Sequence, residues 1–271
     1  MMQNNEIKLA ISNIAWAPLM DDAVYALMHR YGFRGLEIAP TRIFPDNPYA
    51  MLEQASDWSQ KLKAQHQFSI PSMQSIWYGR SENLFASQEQ RDTLAEYTFC
   101  AIHFANTCGI NNLVFGCPRN RNLPEGADAA DANDFFIRIS NEAQNHGCVI
   151  ALEANPTMYH TNYINTTQEA LNLLEAINHP AFMLNLDLGT VIANDECLLN
   201  YASYVHRINH VHISEPGLKC IQPREVHREL ASMLREGHYR GFVSIEMSRQ
   251  ESLSEIENCM KYVRDVFGGE T

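Results

Sequence analysis

Four ionisable side chains stand at the ends of four apolar runs in the second half of the chain. Glu153 closes CVIALE, Asp187 closes FMLNLD, His212 nearly closes INHVHI and Glu246 closes GFVSIE. Their separations are 34, 25 and 34 residues, each about one strand-helix-strand repeat. If the runs are parallel strands of one barrel, the four positions recur at the same height in neighbouring units and meet at its mouth. Three carboxylates and an imidazole in an apolar mouth are strongly unfavourable when ionised and unpaired. Any one acid alone could equally pair with a barrel arginine or lysine. Four of these residues at matched strand ends point instead to one bound divalent metal ion. Oxygen-rich coordination with a single nitrogen favours Mn²⁺, and Mg²⁺, Co²⁺ or Zn²⁺ would also suit it.

Elements able to position such a site are written along the whole chain. Eight short β-rich runs alternate with longer helical patterns: IKLAISNI from Ile7, GLEIAP from Gly35, FSIPSMQSI from Phe68, NLVFGC from Asn112, CVIALEA from Cys148, FMLNLDL from Phe182, INHVHIS from Ile208 and GFVSIEM from Gly241. Amphipathic helices are predicted in the segments that begin at Ala50, Asp92, Asp131, Thr166 and Glu225, with Gly32, Gly109, Gly147 and Gly237 closing helix ends. Repeated βα units of this kind imply a parallel sheet with helices outside it. No linker or low-complexity run divides the 271 residues, so the expected fold is α/β: a single (β/α)8 TIM barrel domain over residues 1–271. The main rival is a doubly wound open sheet. It would place a glycine-rich loop after the first strand, where this chain reads SNIAWAPLMDD.

The bulk numbers agree with an enzyme-sized globular domain. Hydrophobic residues make up 45% and charged residues 19%, and the net charge is −12, which gives no global attraction to nucleic acid or anionic lipid. No segment has the roughly 20 apolar residues needed to span a bilayer, and the start MMQNNEIKLAI has no signal-peptide pattern; a cytoplasmic location is expected. The seven cysteines are scattered without a CxxC pair, so they read as reduced packing residues. Cys117 alone invites attention, because it follows an apparent strand.

ALEANP, LNLDLGT, HVHISEP and HYRGFVSIE, together with GFRGLEIAP near the N-terminus, resemble the sugar-phosphate isomerase/epimerase family of xylose-isomerase-like TIM barrels. The likeness covers nearly the whole chain. It implies that Glu153, Asp187, His212 and Glu246 bind the metal, and that Glu153 and Glu246 also exchange protons with a substrate carbon. The implied reaction is a 1,1-proton transfer or aldose-ketose isomerisation through a metal-stabilised enediolate, on a sugar, sugar phosphate or sugar acid. Many relatives carry a histidine three residues after the aspartate of the sixth strand; this chain has Thr190 there. The endonuclease branch of the same superfamily needs additional histidines for three zinc ions, and the acidic balance also argues against nucleic acid as a partner.

Further polar residues are expected to hold substrate: Glu37 at the end of the second run, Gln74 and Trp77 after the third, Arg119 and Arg121 in GCPRNR after the fourth, Thr190, and Glu215 and Lys219 after His212. Glu37 also reads as a partner that orients a neighbour. Trp16 and Trp77 serve equally well as core or as an apolar wall under a sugar face, and the two arginines as a clamp on a carboxylate or phosphate. His210 is expected to face the helix layer, and His160 and His227 carry no spacing that requires a role. Two other functions share the same motifs: a metal-dependent dehydratase of a keto-polyol, and a sugar-binding barrel without catalysis. The expected partner is a small carbohydrate, with a homodimer or homotetramer expected because such barrels often associate through their helices.

Overall fold

Valine, isoleucine and leucine dominate the strand segments, as they do where helices cover one face of a parallel sheet and the barrel core fills the other. In the computed structural model, which describes residues 7–268, the eight strands are β1 (Lys8–Ser12), β2 (Gly35–Glu37), β3 (Ser72–Met73), β4 (Asn112–Phe115), β5 (Val149–Glu153), β6 (Phe182–Asp187), β7 (Ile208–Ile213) and β8 (Phe242–Ile245). Each falls inside one of the eight predicted runs. Between and after them lie α1 (Asp21–Tyr31), α2 (Pro40–Ile43), α3 (Leu52–His66), α4 (Gln88–Cys108), α5 (Asn133–Asn145), α6 (Thr167–Ile177), α7 (Leu188–Ala193), α8 (Glu225–Glu236) and α9 (Leu253–Phe267). Consecutive strands pair in parallel from β3 round to β8, and β8 pairs with β1 and β1 with β2. Bridges from Gly35 to Ser69 and from Ile38 to Met73 join β2 to the β3 region and complete the ring. The open-sheet alternative is thereby excluded.

Local chemistry explains the helices. In α8 the buried residues His227, Leu230, Ala231, Met233 and Leu234 fall on one stripe at helical spacing. Thr166 and Glu169 form a reciprocal capping box that starts α6, and the Ser87 side chain accepts from the Gln90 amide to start α4. Gly109 ends α4 in the left-handed region at φ 72°, which a residue with a Cβ adopts reluctantly. No helix among the described residues is long and apolar enough to cross a membrane.

The register departs from the simple picture of four residues at one height. Asp187 stands opposite His212, but Glu153 stands opposite Asn185, and His212 stands opposite Ser244. Strands in a closed barrel tilt and stagger, so equal sequence spacing does not give equal height. The four side chains still converge, because the staggered positions carry the longer glutamates.

Candidate metal and active site

The carboxyl ends of β5 to β8 bring Glu153, Asp187, His212 and Glu246 together, each buried, with one ligand atom from each lying within 4.8 Å of the others. His212 Nδ1 lies 3.0 Å from Glu153 Oε1 and 3.2 Å from Glu246 Oε2. Its Nε2 lies 3.0 Å from Glu37 Oε1 on the opposite side. Both ring nitrogens therefore face carboxylate oxygens, which can only accept; an ion in the cluster would take the place of the Nδ1 proton while Nε2–H keeps its bond to Glu37.

Each acidic member is held by donors on its remaining oxygens. Asp187 Oδ2 accepts from the Thr190 amide at 2.8 Å and from Thr190 Oγ1 at 2.7 Å, while Oδ1 accepts from Ser214 Oγ. Glu153 accepts from Asn185 Nδ2 at 2.7 Å and from Asn155 Nδ2 at 2.9 Å. Two glycines make room for this packing. A Cβ on Gly116 would come 2.7 Å from Glu153 Oε2, and one on Gly189 would come 2.7 Å from Ser214 Oγ.

Beneath these four side chains lies a second inward-facing polar layer, built from residues two positions earlier on the same strands: Asn185, His210 and Ser244. Glu37 is fully buried there, accepting from Ser72 Oγ at 2.8 Å and Ser244 Oγ at 2.7 Å. Ser72 accepts in turn from Asn112, and Asn112 from Asn209. A continuous hydrogen-bonded column therefore runs through the barrel core to His212.

The electrostatics of the cluster call for a cation. Burial raises Asp187, and the nearby Glu153 charge raises it further. Burial likewise pushes Glu246 up to about 7, against the opposing pull of His212. Burial alone would lower His212, but Glu246 and Glu37 outweigh it and hold the ring well above its ordinary value. Burial would raise Glu37, yet His212 and His210 keep it well below the usual carboxylate range. Buried carboxylates that are costly to ionise together, gathered around an imidazole that they hold protonated, form a donor set in which a divalent ion could replace that proton. The residues present fit such an ion.

Several expected substrate contacts sit elsewhere. Glu37 lies under His212 and away from the mouth. Thr190 is spent on Asp187 and on the Ala154 carbonyl. Arg121 is fully buried and donates to the carbonyls of Glu153 and Ile164 and to Asn155 Oδ1, so it props the end of β5 and does not clamp an anion. Glu215 is buried in an ion pair with Arg224, and Lys219 is exposed outside the cavity wall. Gln74, Trp77 and Arg119 do line the cavity of about 630 Å³ that opens above Glu153, Asp187 and Glu246. Trp77 donates to Thr98 Oγ1 and Gln74 to Ser12 Oγ, which fixes both as wall. Trp16 is buried and donates to Asp21.

His210 corrects an expectation outright. Residues two apart on a strand share a face, so His210 points into the barrel with His212, its ring edge-on at 5.4 Å and its Nε2 3.5 Å from Glu37. Its burial lowers its pKa. The same alternation would have revealed Asn185 and Ser244. Ser214, Asn155 and Tyr159 had no comparable signal. Tyr159 lines the cavity and accepts from the Gly217 amide at 3.0 Å, and burial raises its phenol to about 12. Cys117 also lines the cavity, and burial pushes its thiol up to about 12, so it stays neutral. His160 is exposed in the loop after β5, and His227 is buried in α8.

An eight-stranded parallel barrel with four side chains able to hold a metal ion on consecutive strand ends defines a class. The chain belongs to the xylose isomerase-like TIM barrel family, whose model matches residues 25–265. No curated protein matches it by sequence. In structure it is similar to 3-keto-D-glucoside 4-epimerase YcjR from E. coli (TM-score 0.77, 16% identity, 96% of this chain and 100% of that one). It is also similar to D-psicose 3-epimerase from Clostridium cellulolyticum H10, solved with D-tagatose (TM-score 0.79, 13% identity, 97% and 100%). A family 2 AP endonuclease from Brucella melitensis shares the fold as well (TM-score 0.73, 20% identity, 92% and 96%).

Proposed function

We propose that this protein is a metal-dependent isomerase or epimerase of a sugar, sugar phosphate or sugar acid, with Glu153 and Glu246 as the proton-transfer pair. The observation that carries the reading is that both carboxylates face one cavity from strands three steps apart in the ring, each within about 3 Å of the same imidazole nitrogen. A divalent ion held by Glu153, Asp187, His212 and Glu246 would act as a Lewis acid, acidifying the C–H between a substrate carbonyl and its neighbouring hydroxyl. Manganese suits a set of three oxygens and one nitrogen. Glu153 and Glu246 then take and return the proton, Asp187 and His212 remain anchors, and Trp77 offers an apolar face at the cavity wall. The epimerases among the similar structures agree with this substrate class.

The test is to incubate the Mn²⁺-loaded protein with ketoses, aldoses and their phosphates in D₂O. The expected result is deuterium at the carbon next to the carbonyl, together with an epimer or aldose-ketose isomer. Loss of water from a keto-polyol in place of isomer formation would replace this reading with a dehydratase. Binding without exchange on any of these sugars would leave a sugar-binding barrel.

A further inference from the structure

On the outer surface, His103 of α4 and Glu142 and His146 at the end of α5 place three ligand atoms within 4.8 Å of one another. Both rings turn Nε2 to the same carboxylate oxygen, Glu142 Oε1, at 2.8 Å from His103 and 3.1 Å from His146. The ring centroids are 4.5 Å apart. The arrangement has local causes. Glu142 and His146 are four residues apart, so the helix stacks them on one face. His103 reaches across from the neighbouring helix, and Asn106, one turn beyond it on α4, donates to the His146 carbonyl at 2.9 Å. The second ring is thus tied to α4 through its backbone as well as its side chain. All three side chains are reached by solvent, so an ion has access and can keep water in its remaining positions.

We propose that His103, Glu142 and His146 form a second metal site, a surface clamp between α4 and α5 for a zinc-class ion. Two imidazoles and one carboxylate form a softer donor set than the three carboxylates and one imidazole in the barrel, and imidazole suits Zn²⁺ where oxygen suits Mn²⁺. For the rings to ligate through Nε2, each neutral imidazole carries its proton on Nδ1, and the Nε2 lone pairs replace the two N–H groups that now face Glu142. The bound ion takes the position of those two hydrogens and cross-links the helices that follow β3 and β4. Because the site lies outside the barrel mouth, it adds stability and leaves the chemistry of the cavity alone.

The experiment titrates the metal-stripped full chain with Zn²⁺ alone, and separately with Mn²⁺ alone, by calorimetry. Wild type should take up one more equivalent of zinc than His103→Ala or His146→Ala, while Mn²⁺ binding stays the same in all three. Both substitutions are on the surface and should leave the fold intact. At free zinc about tenfold above Kd, the wild-type Tm should rise about 3 °C further than that of either variant. Counting the difference between proteins makes the result independent of whether zinc also enters the barrel. Equal zinc stoichiometry in wild type and both variants would overturn the proposal, as would a lost equivalent in the variants without any difference in the zinc-dependent Tm.

Discussion

Two clusters in this protein use the same residue types and differ in what holds them. The barrel cluster draws Glu153, Asp187, His212 and Glu246 from four adjacent strands and ties their remote atoms to Asn185, Asn155, Thr190, Ser214 and Glu37. The surface cluster draws His103, Glu142 and His146 from two helices and ties down little beyond one backbone carbonyl. In the barrel, rotamer freedom is already lost on folding, so little ordering remains for binding. On the surface, the rings must be ordered when the ion arrives. Burial separates the two further, by making the barrel carboxylates costly without a cation. Similar residue types are therefore fixed on folding in one place and left to be ordered by an arriving ion in the other.

The largest effect expected is on turnover. Glu153→Gln or Glu246→Gln keeps an oxygen near the metal position and removes the carboxylate, so each should lower kcat by about 10²-fold or more, whereas His103→Ala should leave kcat unchanged. Steady-state kinetics with the substrate found by D₂O exchange checks this. Near-wild-type turnover in either glutamine variant would take that glutamate out of the proton transfer.

A smaller effect isolates the supporting layer. Glu37→Gln leaves all four ligands in place but weakens the hydrogen bond that fixes the His212 tautomer, and should cost about 10-fold to 100-fold in Mn²⁺ affinity. Calorimetry on the variant decides the matter, with circular dichroism confirming that the fold is kept. Unchanged affinity would mean that the barrel ligands need no such support and that the two clusters differ by burial alone.

The smallest effect contrasts a buried imidazole with the exposed pair. His227 is fully buried against Tyr262, its Nδ1 2.8 Å from the phenol oxygen, and burial lowers its pKa to about 4. An unfolded chain takes up this proton near pH 6.5. The stability due to neutral His227 is thus intact above about pH 6.5 and lost as the pH falls toward 4, by about 1 kcal/mol between pH 7 and 5.5. Urea unfolding of wild type and His227→Gln at those two pH values measures it. An equal pH dependence in both proteins would assign the acid sensitivity to other groups.

The sequence by itself determined the eight strands, the single-domain barrel and the four positions that could hold a metal. Apolar runs of fixed length, broken at helical intervals, leave few other ways to bury their surface, and a charged residue ending such a run must lie at the strand's carboxyl end. Strand alternation also contained the second polar layer, since His210, Asn185 and Ser244 stand two residues before a ligand position, though reading it requires counting faces correctly. Only the tertiary structure decided the roles of Glu37, Arg121, Thr190 and Glu215. Each is a polar residue at the end of a strand or in the segment that follows it, where local pattern cannot distinguish a cavity wall from a buried prop. The choice depends on which neighbour offers a partner: His212 across the barrel for Glu37, carbonyls at the end of β5 for Arg121, Asp187 for Thr190 and Arg224 for Glu215. Those partners lie from three to 175 residues away in the chain. The stagger of the closed barrel brings the distant ones together, and strand spacing along the sequence does not encode that stagger.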